Sequence, residues 1–413
     1  MTEQESSLRL QQRRLVNRLF YGFMALLFRR FILNVFRLQP VDAGKVPRSG
    51  PGLILANHVC LFDPVWIYAM LRRPVYFAAT EDLFRQPLVG KVIRWFGGFP
   101  KRKAAADLGA MRRIFQLAAK DQLIGIFPEG VRTWDGLNTP IVPGIVRLIQ
   151  KLKVPVYVCR LEGAYLSYPR WAKWWRKLPV RGVFTKLYDP DTIPEDEGKV
   201  FDDITACIRN PDYDLPALPP ARTRSGLAVN LTRLLYRCPN CGTLEGLKVT
   251  RPYSSNRVEC SSCFSSWIVD LSCRVAVADE QGKPEDDWLP LHSVYARVRS
   301  MPLHPIQTGL RLGLEEGERL YMISRPRFLM KQERFPVLSV LAFGRAFLTD
   351  RRLLFRSRLG VRFSAPLSRI EALSVDPGDK LHFSYEGKLH RIPFRNESAL
   401  KWYDMIHRLK GDA

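Results

Sequence analysis

"GLILANHVCLFDP" (residues 52–64) is the stretch from which the rest of the chain can be read. It starts as an apolar run, turns polar at Asn57 and His58, and presents Asp63 and Pro64 soon after. A strand that ends in such a loop sets its side chains at the rim of a sheet, where open α/β folds hold their sites. A neutral imidazole there can take a proton from an alcohol. A carboxylate beside it can fix the tautomer and stabilise the imidazolium that forms. His58 is one of six histidines in the chain and the single one between residues 45 and 210. H-x4-D alone is weak, since a lone histidine beside a loop is often structural, so its flanks decide.

Working outward, short apolar runs alternate with helical patterns over residues 45–210. "PGLILA", "PVYFAA", "QLIGI" and "VPVYVCRL" have strand character, whereas "MRRIFQLAAK" and "GIVRLIQKL" carry helical periodicity. This alternation predicts an α/β domain, a mixed sheet flanked by helices. Two loops add chemistry. "GGFPKRK" (97–103) sets Gly98 and its neighbour Gly97 beside Lys101, Arg102 and Lys103, glycines for close backbone approach and cations for a phosphate. "FPEGVRT" (127–133) brings Phe127, Pro128, Glu129, Gly130 and Arg132 directly after a strand, with an arginine fork suited to bidentate phosphate binding.

"NHVCLFD", "GGFPKRK", "FPEGVRT" and "VPVY" resemble, in order, the four sequence blocks of the glycerophospholipid (lysophosphatidic-acid type) acyltransferase family. "PGIVRL" (143–148) resembles the family's helix between the third and fourth blocks. The resemblance implies that His58 is a general base oriented by Asp63. It also implies that Glu129 and Arg132 hold the acceptor's phosphate region, with Asn57, Gly98, Lys101, Arg102, Lys103, Phe127, Pro128 and Gly130 as further substrate-binding positions. The sequence departs from the family pattern where Lys103 stands for the usual arginine of the second block and Val131 for the threonine of the third. The implied reaction is O-acylation: a fatty acyl group passes from acyl-CoA or acyl-ACP to a hydroxyl of a lysophospholipid or glycerol-phosphate acceptor. The alternative is a non-enzymatic, membrane-tethered scaffold built on a degenerate domain. Intact His58, Asp63, Glu129 and Arg132 argue against it.

With 413 residues there is room for two or three domains. Lys plus Arg number 64 against 40 Asp plus Glu, a net charge of +24, so polyanionic partners are expected. The N-terminal "RRLVNRLFYGFMALLFRRFILNVFRL" holds ten uncharged residues at most in a row, Leu19–Phe28, about 15 Å of helix and too short to span a bilayer. Flanked by arginines, residues 1–44 read as interfacial amphipathic helices, or alternatively as helices packed on protein. No small-residue cleavage site follows, which argues against a secretory signal. "YPRWAKWWRKLPVRG" (168–182) interleaves Trp171, Trp174 and Trp175 with cations. Such a segment suits an anionic membrane surface, or single-stranded nucleic acid as its rival, with burial of one or two of the tryptophans in the core as the third alternative. Nucleic acid would leave the N-terminal stripe and the four blocks unexplained, so none is expected. A peripheral protein on the cytoplasmic face of a membrane fits best.

Prolines crowd 211–220, predicting a linker over 211–235. Beyond it, "CPNCG" and "CSSC" place Cys238, Cys241, Cys260 and Cys263 as two C-x2-C pairs eighteen residues apart. That spacing predicts a structural Zn2+ site within a zinc ribbon at 236–275. Residues 300–413 read as short strands closing on the helical pattern "ESALKWYDMIHRL". With "LTDRRLLF" they resemble a pleckstrin-homology or GRAM-like β-barrel with a C-terminal helix.

Overall fold

The structure, a computed structural model, describes residues 26–411 apart from 85, 102–107, 217, 219–225, 252–254, 286, 335–336, 377–378 and 395. The expectations for residues 1–25, Arg102 and Lys103 lie outside the described residues. The chain divides into two compact units. Among the described residues the first comprises those within 26–101, 108–170 and 175–216; the second comprises those within 171–174 and 218–411.

The first unit runs α1 (residues 26–35), β1 (Leu38–Val41), β2 (Gly52–Ala56), α2 (Asp63–Met70), β3 (Val75–Thr80), α3 (Glu81–Phe84), α4 (Pro87–Trp95) and β4 (Phe99–Lys101). It continues through α5 (Leu108–Ala118), β5 (Leu123–Ile126), α6 (Gly144–Leu152), β6 (Val156–Glu162), α7 (Ala164–Ser167), β7 (Val180–Tyr188) and α8 (Glu197–Cys207). Among the described residues seven strands form one sheet in the order β1-β7-β6-β2-β5-β3-β4. It is mixed: β6, β2, β5, β3 and β4 pair in parallel, and β7 runs antiparallel to β6. All five β2 residues are buried, because a parallel strand between two parallel neighbours has no wet face. On one side Leu53, Leu55, Ile124 and Val158 pack against Ile114 of α5, Ile145 and Ile149 of α6, and Ile204 of α8. Each such aliphatic side chain contributes about 1.5–3 kcal/mol by leaving water.

Register matters more than packing for function. Leu55 pairs with Ile126, and Ala56 with Cys159. The chain therefore leaves β2 and β5 side by side, and the loop at Asn57–His58 lies along the loop at Phe127–Glu129. Of the 211–235 stretch, the early part folds with the first unit. Asp212 is buried and accepts hydrogen bonds from the amides of Gly163 (2.6 Å), Tyr165 (2.9 Å) and Leu166 (3.2 Å) at the start of α7.

The second unit contains a five-stranded antiparallel sheet and an eight-stranded antiparallel one, both counted among the described residues. The smaller consists of β8 (Leu247–Val249), β9 (Arg257–Cys260), β10 (Ser266–Val269), β11 (Arg274–Val277) and β12 (Leu289–Pro290), followed by helix α9 (Leu291–Ser300). The larger is built from β13 (Leu320–Ile323), β14 (Arg327–Arg334), β15 (Val337–Thr349), β16 (Arg352–Ser357), β17 (Arg362–Pro366), β18 (Glu371–Asp376), β19 (Lys380–Tyr385) and β20 (Lys388–Pro393), and α10 (Ala399–Lys410) closes the chain. The β19–β20 turn falls at Glu386-Gly387, both with positive φ (51° and 67°), as a two-residue hairpin requires. Ala399, Leu400, Trp402, Met405 and Ile406 form the buried stripe of α10.

Buried polar links tie the two sheets of this unit together. The Asp404 carboxylate on α10 accepts from the hydroxyls of Tyr236 (2.9 Å) and Tyr295 (2.7 Å). Lys401 donates to Glu245 (2.6 Å), beside the cysteine segment, and also pairs with Glu397 (2.7 Å).

Candidate functional site

The His58 ring Nδ1 lies 2.9 Å from Asp63 Oδ2. The same oxygen accepts from the amides of Val59 (2.8 Å) and Cys60 (2.9 Å). With two backbone donors already on it, Oδ2 acts as an acceptor, so the ring proton sits on Nδ1 and Nε2 keeps its lone pair. Among the described residues Nε2 has no hydrogen-bond partner. Asp63 is the first residue of α2, where the helix dipole favours an acidic group. Its Oδ1 is buried and has no partner among the described residues.

Aromatic and polar contacts fix the ring and the backbone that carries it. Phe127 stacks on it with centroids 4.0 Å apart at 15°, and Phe77 stacks behind Phe127 at 5.1 Å. Phe77 has its place because residue 125 is glycine: a Cβ there would collide with the Phe77 ring. The backbone of residue 58 is held from both sides. Its amide donates to Glu129 Oε2 (2.6 Å), and its carbonyl accepts from the Thr133 amide (3.1 Å).

Charge follows from burial. Loss of water pushes the His58 pKa well below 6.5, and the Arg132 and Arg170 cations push it further down, so the ring is neutral at pH 7. Burial pushes Asp63 up to about 8, against its backbone donors and Arg132. Either protonation state leaves Oδ2 as the acceptor from Nδ1. The Glu129 carboxyl is likewise raised by burial, to about 7, while three N–H donors pull the other way. Arg170 reaches this centre from "YPRW": its guanidinium donates to the Arg132 carbonyl (2.6 Å) and lies 4.2 Å over the Trp134 ring.

The predicted site residues divide into those near the ring and those that support the fold. His58, Asp63, Phe127 and the charge of Arg132 meet at one point. Glu129 is 3% exposed, and its carboxylate is engaged by His58 N, Asn138 Nδ2 (2.7 Å) and Thr139 N (3.2 Å). These bonds hold the loop that carries the ring. Asn57, expected at the substrate, is fully buried, and its side-chain amide is paired at both ends with Leu161 of β6 (2.9 and 2.8 Å). Pro128 is buried and its carbonyl accepts from Val142, while Gly130 takes positive φ (69°) in the turn that follows. Gly98 packs against Ile93, and Lys101 is exposed at the end of β4.

In the tryptophan segment the buried alternative holds for Trp171. Trp175 packs tilted against Phe36, with centroids 4.5 Å apart at 46°, and donates to Ser167, while Trp174 is half exposed. Sequence reading missed Arg170, Asn138 and Gly125 as parts of this site. No spacing signals the first two, which lie far along the chain; the glycine inside "LIGI" was the one available hint.

In the second unit the Sγ atoms of Cys238, Cys241, Cys260 and Cys263 all lie within 4.8 Å of one another. Cys238–Cys263 and Cys241–Cys260 are each 3.7 Å apart. Four thiolates about 2.3 Å from a tetrahedral ion stand roughly 3.8 Å apart, so the donor set fits zinc. The knuckle turns close through Gly242 N to Cys238 O (2.9 Å) and Phe264 N to Cys260 O (3.1 Å). Ser265 Oγ lies 3.2 Å from Cys263 Sγ.

Residues 39–162 match the family model described as Acyltransferase. The chain is 25% identical over 150 residues to the chloroplastic 1-acyl-sn-glycerol-3-phosphate acyltransferase BAT2 of Brassica napus, covering 35% of this chain and 43% of that one. It is 23% identical over 125 residues to the 1-acyl-sn-glycerol-3-phosphate acyltransferase of Bacillus subtilis, covering 30% and 58%. Over 161 residues it is 25% identical to an uncharacterized protein of Mycobacterium tuberculosis, covering 35% and 42%. The chain thus spans less than two thirds of the length of the curated relatives it matches. Among solved structures, the lysophosphatidic acid acyltransferase PlsC of Thermotoga maritima is similar with a TM-score of 0.36 and 20% identity, covering 46% of this chain and 86% of that one.

Proposed function

We propose that this protein is an O-acyltransferase that moves a fatty acyl group from an acyl thioester to a hydroxyl of a lysophosphatidic-acid-type acceptor in phospholipid synthesis. The observation that carries the reading is the His58–Asp63 pair, 2.9 Å apart, with a neutral ring and Nε2 left open among the described residues. Nε2 takes the proton as the acceptor oxygen attacks the thioester carbonyl. Asp63 holds the imidazolium that results, and the proton then leaves with the thiol as the tetrahedral intermediate collapses. No acyl group passes through the enzyme. Arg132 and Arg170, both close enough to depress the His58 pKa, supply positive potential for an anionic acceptor.

Support also comes from the Acyltransferase match over residues 39–162 and from the names of the Brassica and Bacillus relatives. The donor is acyl-CoA or acyl-ACP, and the reaction takes place at a membrane surface. The four-cysteine centre holds structural zinc in a ribbon, and the C-terminal sheet and helix act as a PH-like docking module. The test is incubation of the full chain with acyl-CoA and a panel of lysophospholipids. Wild type should acylate a phosphate-bearing acceptor, and His58→Ala should lose turnover while keeping its circular dichroism spectrum and melting temperature. Full turnover by H58A would remove the mechanism.

A further inference from the structure

A cleft of about 410 Å³ opens in the first unit, at the end of the sheet away from His58. Its walls come from α1, from the connection between β1 and β2, and from the end of α2 through to β3, and they carry Arg29, Arg48, Arg72 and Arg73. None of its lining residues is acidic. His58 follows the C-terminal end of β2, whereas Arg48 precedes its first residue, and Arg72 and Arg73 precede β3. A five-residue strand spans about 16 Å, so this cleft stands apart from the imidazole.

Two of the four cations are held by hydrogen bonds to backbone carbonyls, with the Asp121 carboxylate near enough to Arg73 to favour its charged form. Arg73, 9% exposed, donates to the carbonyls of Pro47 (3.0 Å), Gly50 (2.6 Å) and Asp121 (3.1 Å). Arg29 donates to the carbonyls of Ala69 (2.6 Å) and Met70 (3.4 Å) at the end of α2. A carbonyl satisfies a donor but carries no net charge, so these hydrogen bonds leave the positive charge of Arg29 in the cleft, and that of Arg73 is offset only in part by Asp121. Arg72 is near enough to Arg29 to disfavour its charged form. Arg48 and Arg72 are exposed at the mouth, and among the described residues neither makes a hydrogen bond or an ion pair. Like charges gathered in this way repel unless an anion joins them, and guanidinium forks match phosphate oxygens.

We propose that this arginine cleft binds a phosphate group, presented by a phospholipid headgroup or by a soluble phosphate, at a site separate from the acyl-transfer centre. The inference does not depend on the acyltransferase reading, since it concerns other residues and a binding readout.

The test compares the full-length wild type with the R48Q/R72Q double variant, whose exposed positions spare the fold. One arm follows thermal unfolding with inorganic phosphate against chloride at equal ionic strength. The other follows flotation with phosphatidylcholine vesicles, with and without phosphatidic acid. Losing two charge-assisted contacts should weaken the phosphate-dependent response by about tenfold or more. A loss confined to the vesicle arm identifies the lipid headgroup, and a loss confined to the first arm identifies a soluble phosphate. Equal responses of the two proteins in both arms, with or without phosphate, overturn the proposal. Acyl transfer to a dispersed acceptor should stay at the wild-type rate, because neither residue lies at the His58 centre.

Discussion

At the scale of single residues the candidate site depends on a ring that is neutral by environment. Burial and two arginines hold the His58 pKa below its usual 6.5, so folding favours the uncharged ring. The sign follows directly: the stability this adds is lost as pH falls through 6.5 towards the folded value. The base form should persist to lower pH than in a free imidazole. The acid limb of kcat/KM is expected to have its midpoint below pH 6.5 in wild type. Removing a repelling cation with Arg132→Ala should move that midpoint up and raise KM for a phosphate-bearing acceptor; an unchanged limb would separate Arg132 from the ring.

Glu129 belongs to the same scale, although as a positioning residue. Glu129→Gln puts an NH2 group where a carboxylate oxygen now accepts, against His58 N or the Asn138–Thr139 donors. The loop carrying the ring should shift, and a displacement near 1 Å can cost on the order of a hundredfold in rate. The expected signature is a lowered kcat with little change in KM. A KM effect alone would return Glu129 to acceptor binding.

At the scale of elements, α10 is tied to the cysteine-bearing sheet and α9 by a buried polar hub. Asp404→Ala strands two tyrosine hydroxyls and Arg299, which lies 3.6 Å from the carboxylate. A loss of about 3 kcal/mol is expected in chemical denaturation. A change below about 0.5 kcal/mol would mean that water replaces the carboxylate. Helical elements were largely legible beforehand: "GIVRLIQKL" is α6 residue for residue. Their partners were not. Hydrophobic period reports which face of a helix is buried, and it carries no information about which distant residue meets that face. For that reason the pattern of the tryptophan segment did not decide between a surface and the core, and Trp171 is buried.

At the scale of the whole molecule two properties can be measured together. Zinc held by the four cysteines would stabilise the second unit, so a strong chelator should lower its melting transition while metal analysis finds about one zinc per chain. Metal-free protein with an unchanged transition would end the zinc reading. Net charge of +24 predicts binding to anionic vesicles that fades with salt, as the screening length falls from about 10 Å at 0.1 M to about 3 Å at 1 M. Binding that survives high salt would point to apolar contact, for which α4 exposes Leu88, Val92 and Trp95. No helix among the described residues is long and apolar enough to cross a membrane.

The sequence by itself determined what is local: strand and helix periods, the H-x4-D spacing that lets a ring meet a carboxylate within one turn of chain, and the paired cysteines. Those depend on a few consecutive bonds and on alternation of side chains. Tertiary structure alone decided that Glu129 clamps the His58 backbone, that Arg170, beyond β6 in the chain, bears on the ring, and that Gly125 leaves room for the Phe77–Phe127 stack. It also gathered four arginines into one cleft. Each of these depends on the Leu55–Ile126 register or on a crossover between strands, and such long-range placement is set by the packing of the whole sheet.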